Sequence, residues 1–181
     1  LNQSGCCLIV LAEWKKKVYD FSKGIKAISS SIRRSIPAFL DSKIHHNNML
    51  SLVIAKIQAN IPGYDAAVML DDRGFVAELN DTNLFLLKDG TVQTPYAHAC
   101  LPGITRQTFI DLFKENKIPV EERDLTLVEF INADLVFATG TNGEITPVTE
   151  MDGREIKCNI KFLEKIKNLF ELKLPKLCEP L

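Results

Sequence analysis

The sequence predicts a mixed α/β protein, and three observations carry that expectation. Strand-length apolar runs bounded by Gly, Asn and Asp alternate with longer stretches of helical period. Four such runs follow one another between residues 65 and 94, and an amphipathic helix comes directly after them. The 181 residues are 46% hydrophobic and 25% charged, enough to bury one real core.

In chain order, "CCLIVLAEW" (Cys6 to Trp14) reads as a strand and "KKKVYDFSKG" as a linker ending at Gly24. "IKAISSSIRR" alternates, with Ile25, Ala27 and Ile32 expected inward. "NNMLSLVIAKIQAN" has helical spacing and stops at Asn60 before Pro62-Gly63. "DAAVMLD", "FVAEL", "LFLLKDG" and "TVQT" are then expected as a four-stranded meander, with turns at Asp72-Arg73-Gly74, Asn80-Asp81-Thr82 and Asp89-Gly90. A helix opens at Ile104. "VEERDLT" is a strand, "LVEFINA" a short helix, "DLVFATG" a strand, and "ITPVTEMDGREI" a hairpin turning at Asp152-Gly153. The last helix, "NIKFLEKIKNLFEL", is expected to bury Ile160, Leu163, Ile166 and Phe170.

The formal net charge of −1 offers no basic field, so neither nucleic acid nor an anionic membrane is expected as a partner. A phosphate-bearing small molecule stays open, because backbone amides can hold it without net positive charge. The cysteines, Cys6, Cys7, Cys100, Cys158 and Cys178, form an odd set without metal-ligand spacing, which points to a reduced, intracellular setting for a soluble protein. "CCLIVLA" is too short to span a bilayer. The chain opens at Leu1 rather than Met, so a fragment or processed product is expected, and cytoplasm and organelle (plastid or mitochondrion) stay equally open.

Four places could carry chemistry. In "CLPGITR" the first amides of a helix are left unpaired at its positive end; Gly103 would let an anion approach the backbone and Thr105 would add a hydroxyl, although a Thr that merely caps a helix is the plainer reading. "TGTNG", Thr139 to Gly143, is a second loop able to form an anion nest. Lys43 stands beside His45 and His46, whose adjacency does not suit a metal, and no metal site is expected. Glu78 interrupts an apolar strand, so if it points inward a cationic or protonated group should meet it.

Taken in order, Lys43, "HHNNMLSLVIAKIQAN", "GYDAAVMLDDRGFVAELNDTNLFLLKDG", "LPGITR", "ATGTNGEITPV" and "DGREI" resemble the class IV aminotransferases, pyridoxal-phosphate enzymes of fold type IV. That family includes branched-chain and D-amino acid aminotransferases and aminodeoxychorismate lyases. The resemblance implies a large cofactor-binding domain over residues 21–181, a pseudo-barrel of strands with flanking helices. Residues 1–20 would be a remnant of the small domain and its linker. It implies that Lys43 forms the aldimine with pyridoxal 5'-phosphate and shuttles the proton, and that Glu78 pairs with the protonated ring nitrogen. Gly103, Ile104 and Thr105 would hold the phosphate from one side and Thr141 from the other, with Asn142 near the substrate carboxylate. Asn47 and Asn48 stand where many relatives have a tyrosine. The implied reaction is transamination between a branched-chain amino acid and 2-oxoglutarate in a homodimer. Lyase-type elimination of pyruvate, D-amino acid transamination and a non-catalytic binding module are the other readings.

Overall fold

A computed structural model describes residue 5 and residues 8–177. Within them β1 (Ile25–Arg33) leads through an irregular segment to α1 (Leu50–Asn60) and β2 (Ala66–Leu70). Next come β3 (Val76–Leu79), β4 (Asn83–Lys88), β5 (Thr91–Pro95) and α2 (Ile104–Glu115). They are followed by β6 (Val120–Arg123), α3 (Leu127–Ile131), β7 (Leu135–Gly140), β8 (Glu144–Met151), β9 (Arg154–Glu155) and α4 (Ile160–Leu177). The strands form one curled sheet in the order β3-β2-β1-β8-β7-β4-β5-β6, with β9 on β8. The mixed α/β fold expected from the sequence is therefore present, its sheet curled into a half-barrel.

The long strand β8 makes the curl. Its first half pairs with β7, through Ile145 and Pro147, and its second half pairs with β1, through Val148 and Met151. β1 and β2 are parallel, a pairing that requires a crossover, and α1 supplies it. Ala55 and Ala59 of α1 pack on Ala67 and Met69, while Ala66 and Val68 face the opposite core. Burial on both faces explains why "AAVML" is a continuous apolar run.

Several expectations are corrected. The four runs after residue 65 do not form a meander: β2 pairs with β3 and β4 with β5, but β3 lies at one end of the sheet and β4 beyond β7. The Asn80-Asp81-Thr82 segment is a crossing between sheet halves. Asn80 fixes its start by pairing its backbone and side chain with Ala67 (3.0 and 2.9 Å). The run at residues 8–14 is exposed and forms no strand, because a strand needs a neighbouring ladder and none adjoins it among the described residues; Cys6 and Cys7 lie outside them. Ile160 starts α4 at 47% exposure, ahead of the stretch where Leu163, Ile166 and Phe170 meet the core. Ile25 and Ala27 are inward as expected, whereas Ile32 lies on the other face of β1, against α1.

The placement of α2 decides where a site can form. Its buried residues Arg106, Phe109, Ile110 and Phe113 recur at helical spacing and cover the face of β4 and β7 that carries Phe85 and Phe137. Phe85 and Phe137 stack at 5.1 Å, and Phe109 stacks on Phe170 of α4 at 4.7 Å. Two residues along the same face, Asn83 and Thr139 are register partners. The N-terminus of α2 arrives at this pair.

Candidate active site

A cavity of about 490 Å³ opens at that strand end and is lined by Lys43, Glu78, Asn83, Gly103, Ile104, Thr105, Thr139 and Thr141, among others. Of the residues expected from sequence, only Asn142 is not among its lining; it is exposed, and its carbonyl accepts from the Val18 amide at 3.4 Å.

Gly103 is the N-cap of α2, and no side chain caps the helix, so Thr105 sits inside the first turn and does not play the plain capping role. The free amides therefore face the cavity with the positive end of the helix behind them. A Cβ at Gly103 would overlap the Asn83 Oδ1 atom, which is the local reason for glycine there. Across the cavity, the Thr139 hydroxyl is buried without a hydrogen-bond partner. A buried unpartnered hydroxyl beside a helix N-terminus suits an anionic ligand oxygen.

Glu78 does point inward. It is 5% exposed. The Arg34 guanidinium meets its Oε1 at 2.9 Å, and the Asn83 amide donates to its Oε2 at 3.2 Å. Burial pushes its carboxyl up to about 8, against the opposing pull of Arg34 and the Leu101 backbone and with a smaller push from Asp81. A carboxyl so placed is well suited to sharing a proton with a basic ring nitrogen.

Lys43 lies on the irregular segment between β1 and α1. Its amide donates to Asp41 Oδ1 at 3.0 Å and its ammonium lies 3.6 Å from Asp41 Oδ2. Ser42 closes the segment by donating to the Ser35 carbonyl at 2.6 Å. The lysine side chain is about half exposed, at 46%, and lines the cavity together with His45. Among the described residues no cluster of His, Cys, Asp and Glu could hold a metal ion.

Sequence reasoning missed Arg34, Asn83 and the inward role of Thr139. The signals were present but ambiguous: a second arginine ending a strand, and an Asn and a Thr whose partners are remote in sequence.

The profile described as amino-transferase class IV matches residues 3–151. The chain belongs to the class IV aminotransferases. It is 52% identical over 155 residues to the branched-chain-amino-acid aminotransferase-like protein 2 of Arabidopsis thaliana, covering 86% of this chain and 28% of that protein. A putative branched-chain-amino-acid aminotransferase of Methanocaldococcus jannaschii is 44% identical, covering 81% of this chain and 53% of its own length. The chain thus spans about half or less of these relatives. The Escherichia coli branched-chain amino acid aminotransferase structure superposes with a TM-score of 0.81 at 33% identity, over 87% of this chain and 54% of that one. The branched-chain amino acid aminotransferase of Thermobaculum terrenum, solved in its pyridoxal-phosphate holo form, gives 0.78 at 31% identity, over 82% and 50%.

Pyridoxal 5'-phosphate is the cofactor of this class IV aminotransferase family, and the residues here fit it. The α2 terminus and Thr139 suit a phosphate, Glu78 suits a ring nitrogen, and Lys43 supplies a primary amine in the same cavity.

Proposed function

We propose that this chain is the cofactor-binding part of an aminotransferase acting on branched-chain amino acids, with 2-oxoglutarate as acceptor. The observation that carries the reading is the convergence of Lys43, Glu78 and the uncapped N-terminus of α2 on one cavity. The branched-chain specificity is supported by the relatives' names, and a glutamate half-reaction by a similar branched-chain aminotransferase solved with N-(5'-phosphopyridoxyl)-L-glutamate.

When bound, pyridoxal 5'-phosphate supplies an electron sink for the carbanion formed at the substrate α carbon. The protein supplies the rest. The Lys43 amine would hold the cofactor, and the same amine would be the base that moves the proton at the substrate α carbon. Glu78 keeps the ring nitrogen protonated. Gly103, Ile104, Thr105 and Thr141 grip the phosphate so that the ring cannot swing during the reaction. Residues 21–181 act as the cofactor domain and residues 1–20 as the link to a smaller one. The exposed apolar residues Leu50, Val53 and Ile57 of α1, with Ile61 just after it, support a second subunit in a homodimer.

The test is the absorption spectrum of the chain with pyridoxal 5'-phosphate, followed by borohydride reduction and peptide mapping. We expect a visible band and a reduced adduct on Lys43, both absent in Lys43→Ala. A band that survives the substitution sinks the assignment of Lys43. Amine transfer from L-leucine to 2-oxoglutarate supports the substrate reading, whereas release of pyruvate without an acceptor favours a lyase.

A further inference from the structure

Glu78 presents a physical problem that its role does not solve. A carboxyl buried as deeply as this one prefers to keep its own proton. A ring nitrogen facing it would then meet a neutral acid, and the proton needed on the ring would stay on the protein. Something fixed must bias that proton outward.

The charged and titratable groups near Glu78 are few. Asp81 is repulsive, and the Cys100 thiol, pushed up to about 12 mainly by burial, is neutral at ordinary pH. Lys43 and His45 line the same cavity but are exposed, the Lys43 ammonium lying 3.6 Å from Asp41, and Arg106 is engaged by the Pro95 carbonyl and Glu122. Arg34 remains. It is 8% exposed and sits 2.9 Å from Glu78 Oε1. Its backbone is pinned by a hydrogen bond from its amide to the Leu70 carbonyl at 2.9 Å, just past the end of β1. Its guanidinium also donates to the Ala99 carbonyl at 3.1 Å and reaches the Ser42 carbonyl at 3.5 Å. Those carbonyls belong to the segment leading into the α2 terminus and to the residue before Lys43. With Nε donating to the Ala99 carbonyl and Nη2 reaching the Ser42 carbonyl, the guanidinium is held beside Glu78 Oε1 as a fixed charge, and an arginine does not give up its charge.

We propose that Arg34 is a positioning residue of this site: it holds Glu78 as the anionic member of the pair formed with a ring nitrogen, so that the shared proton resides on the ring. This inference rests on the cofactor reading above. Asn83 completes the arrangement by donating to Oε2, so that both carboxylate oxygens have a neighbour in the fold.

The experiment uses the whole chain with pyridoxamine 5'-phosphate, which needs no bond to Lys43, and reads the absorption of the bound ligand, whose ring-protonated and ring-neutral forms differ. In the parent chain the ring-protonated form should dominate across neutral pH. Arg34→Met should move the proton to Glu78, shifting the partition by at least about tenfold, the equivalent of one pKa unit. Arg34→Lys, which keeps the charge but not the fork, should restore most of the ring-protonated band. A merely structural role would lower affinity or melting temperature without moving the band. If Arg34→Met does not fold by circular dichroism, Arg34→Gln keeps a donor for the Ala99 carbonyl without charge, and the same shift is expected. An unchanged band in a folded, uncharged variant overturns the role of Arg34 alone. Failure of the parent chain to bind the ligand sinks the cofactor reading, and this inference with it.

Discussion

The two ends of the cavity are built on different principles. At the α2 end, Gly103 and the helix amides are backed by an aromatic core in which Phe85, Phe109, Phe113 and Phe137 pack ring against ring, and by the buried Arg106, which donates to the Pro95 carbonyl at 2.8 Å. At the other end, Lys43 rides on a segment without helix or strand, where Phe39 is 85% exposed and Ile44 57%. Its position depends on a handful of hydrogen bonds to Asp41, Ser35 and Arg34. The contrast teaches that the part of the site that must resist displacement, the anion cup, is an extension of the core. The reactive amine is held by local turns, and substitutions at the two ends should therefore separate stability from chemistry.

The largest effect should come from breaking the backing of the cup. Phe109→Ala removes a fully buried ring that touches both the sheet and α4, and denaturant unfolding should show a loss of about 3–5 kcal/mol. A loss below about 1 kcal/mol would mean that the aromatic layer is not what holds α2.

Gly103→Ala should come next. The added Cβ must displace Asn83, with an overpacking cost of about 1–3 kcal/mol, and because Asn83 also holds Glu78, affinity for pyridoxamine 5'-phosphate should fall more than stability does. Calorimetric titration beside a melting curve separates the two effects; unaltered binding would show that the glycine serves only the turn.

A smaller effect is expected from pH. The Glu78 carboxyl is raised in the fold from 4.5 to about 8, so the folded chain binds the extra proton over that interval and the unfolded chain does not. The stability contribution is complete below about 4.5 and is lost as pH rises through about 8. Ligand-free stability should therefore decline across this window, and Glu78→Gln should flatten the decline; a parallel curve in the variant would show that Glu78 is not its source.

The smallest change in stability should be that of Lys43→Ala, within about 0.5 kcal/mol, despite the expected loss of the covalent adduct. A large destabilisation would show that the lysine organises its segment and would undo the contrast between the two ends.

Much of the fold was legible in the sequence because its signals are local. The helix opening at Ile104, the turn at Asp152-Gly153 and the apolar strand "DLVFATG" each follow from residues within a few positions of one another. The meander failed because a turn dipeptide marks where a chain turns but not which strand it joins; Asn80-Asp81-Thr82 reads as a hairpin turn and is in fact a crossing. Candidate site residues were found where one residue type carries its own chemical signature, as Lys43, Glu78 and Gly103 do. Arg34, Asn83 and Thr139 escaped because each is ordinary in its own segment and acquires a role only through a distant partner.

The sequence by itself determined the alternation of strands and helices, the glycine at the head of α2, and a carboxylate in an apolar strand that demanded a partner. Periodicity, turn chemistry and the cost of burying charge all act within a few residues. Only the tertiary structure decided that the partner is Arg34, 44 positions earlier, that α2 starts over the Asn83–Thr139 pair, and that the two halves of the sheet meet along β8. Those relations depend on strand order and register, which are set by which buried faces can be covered at once, a property of the whole chain.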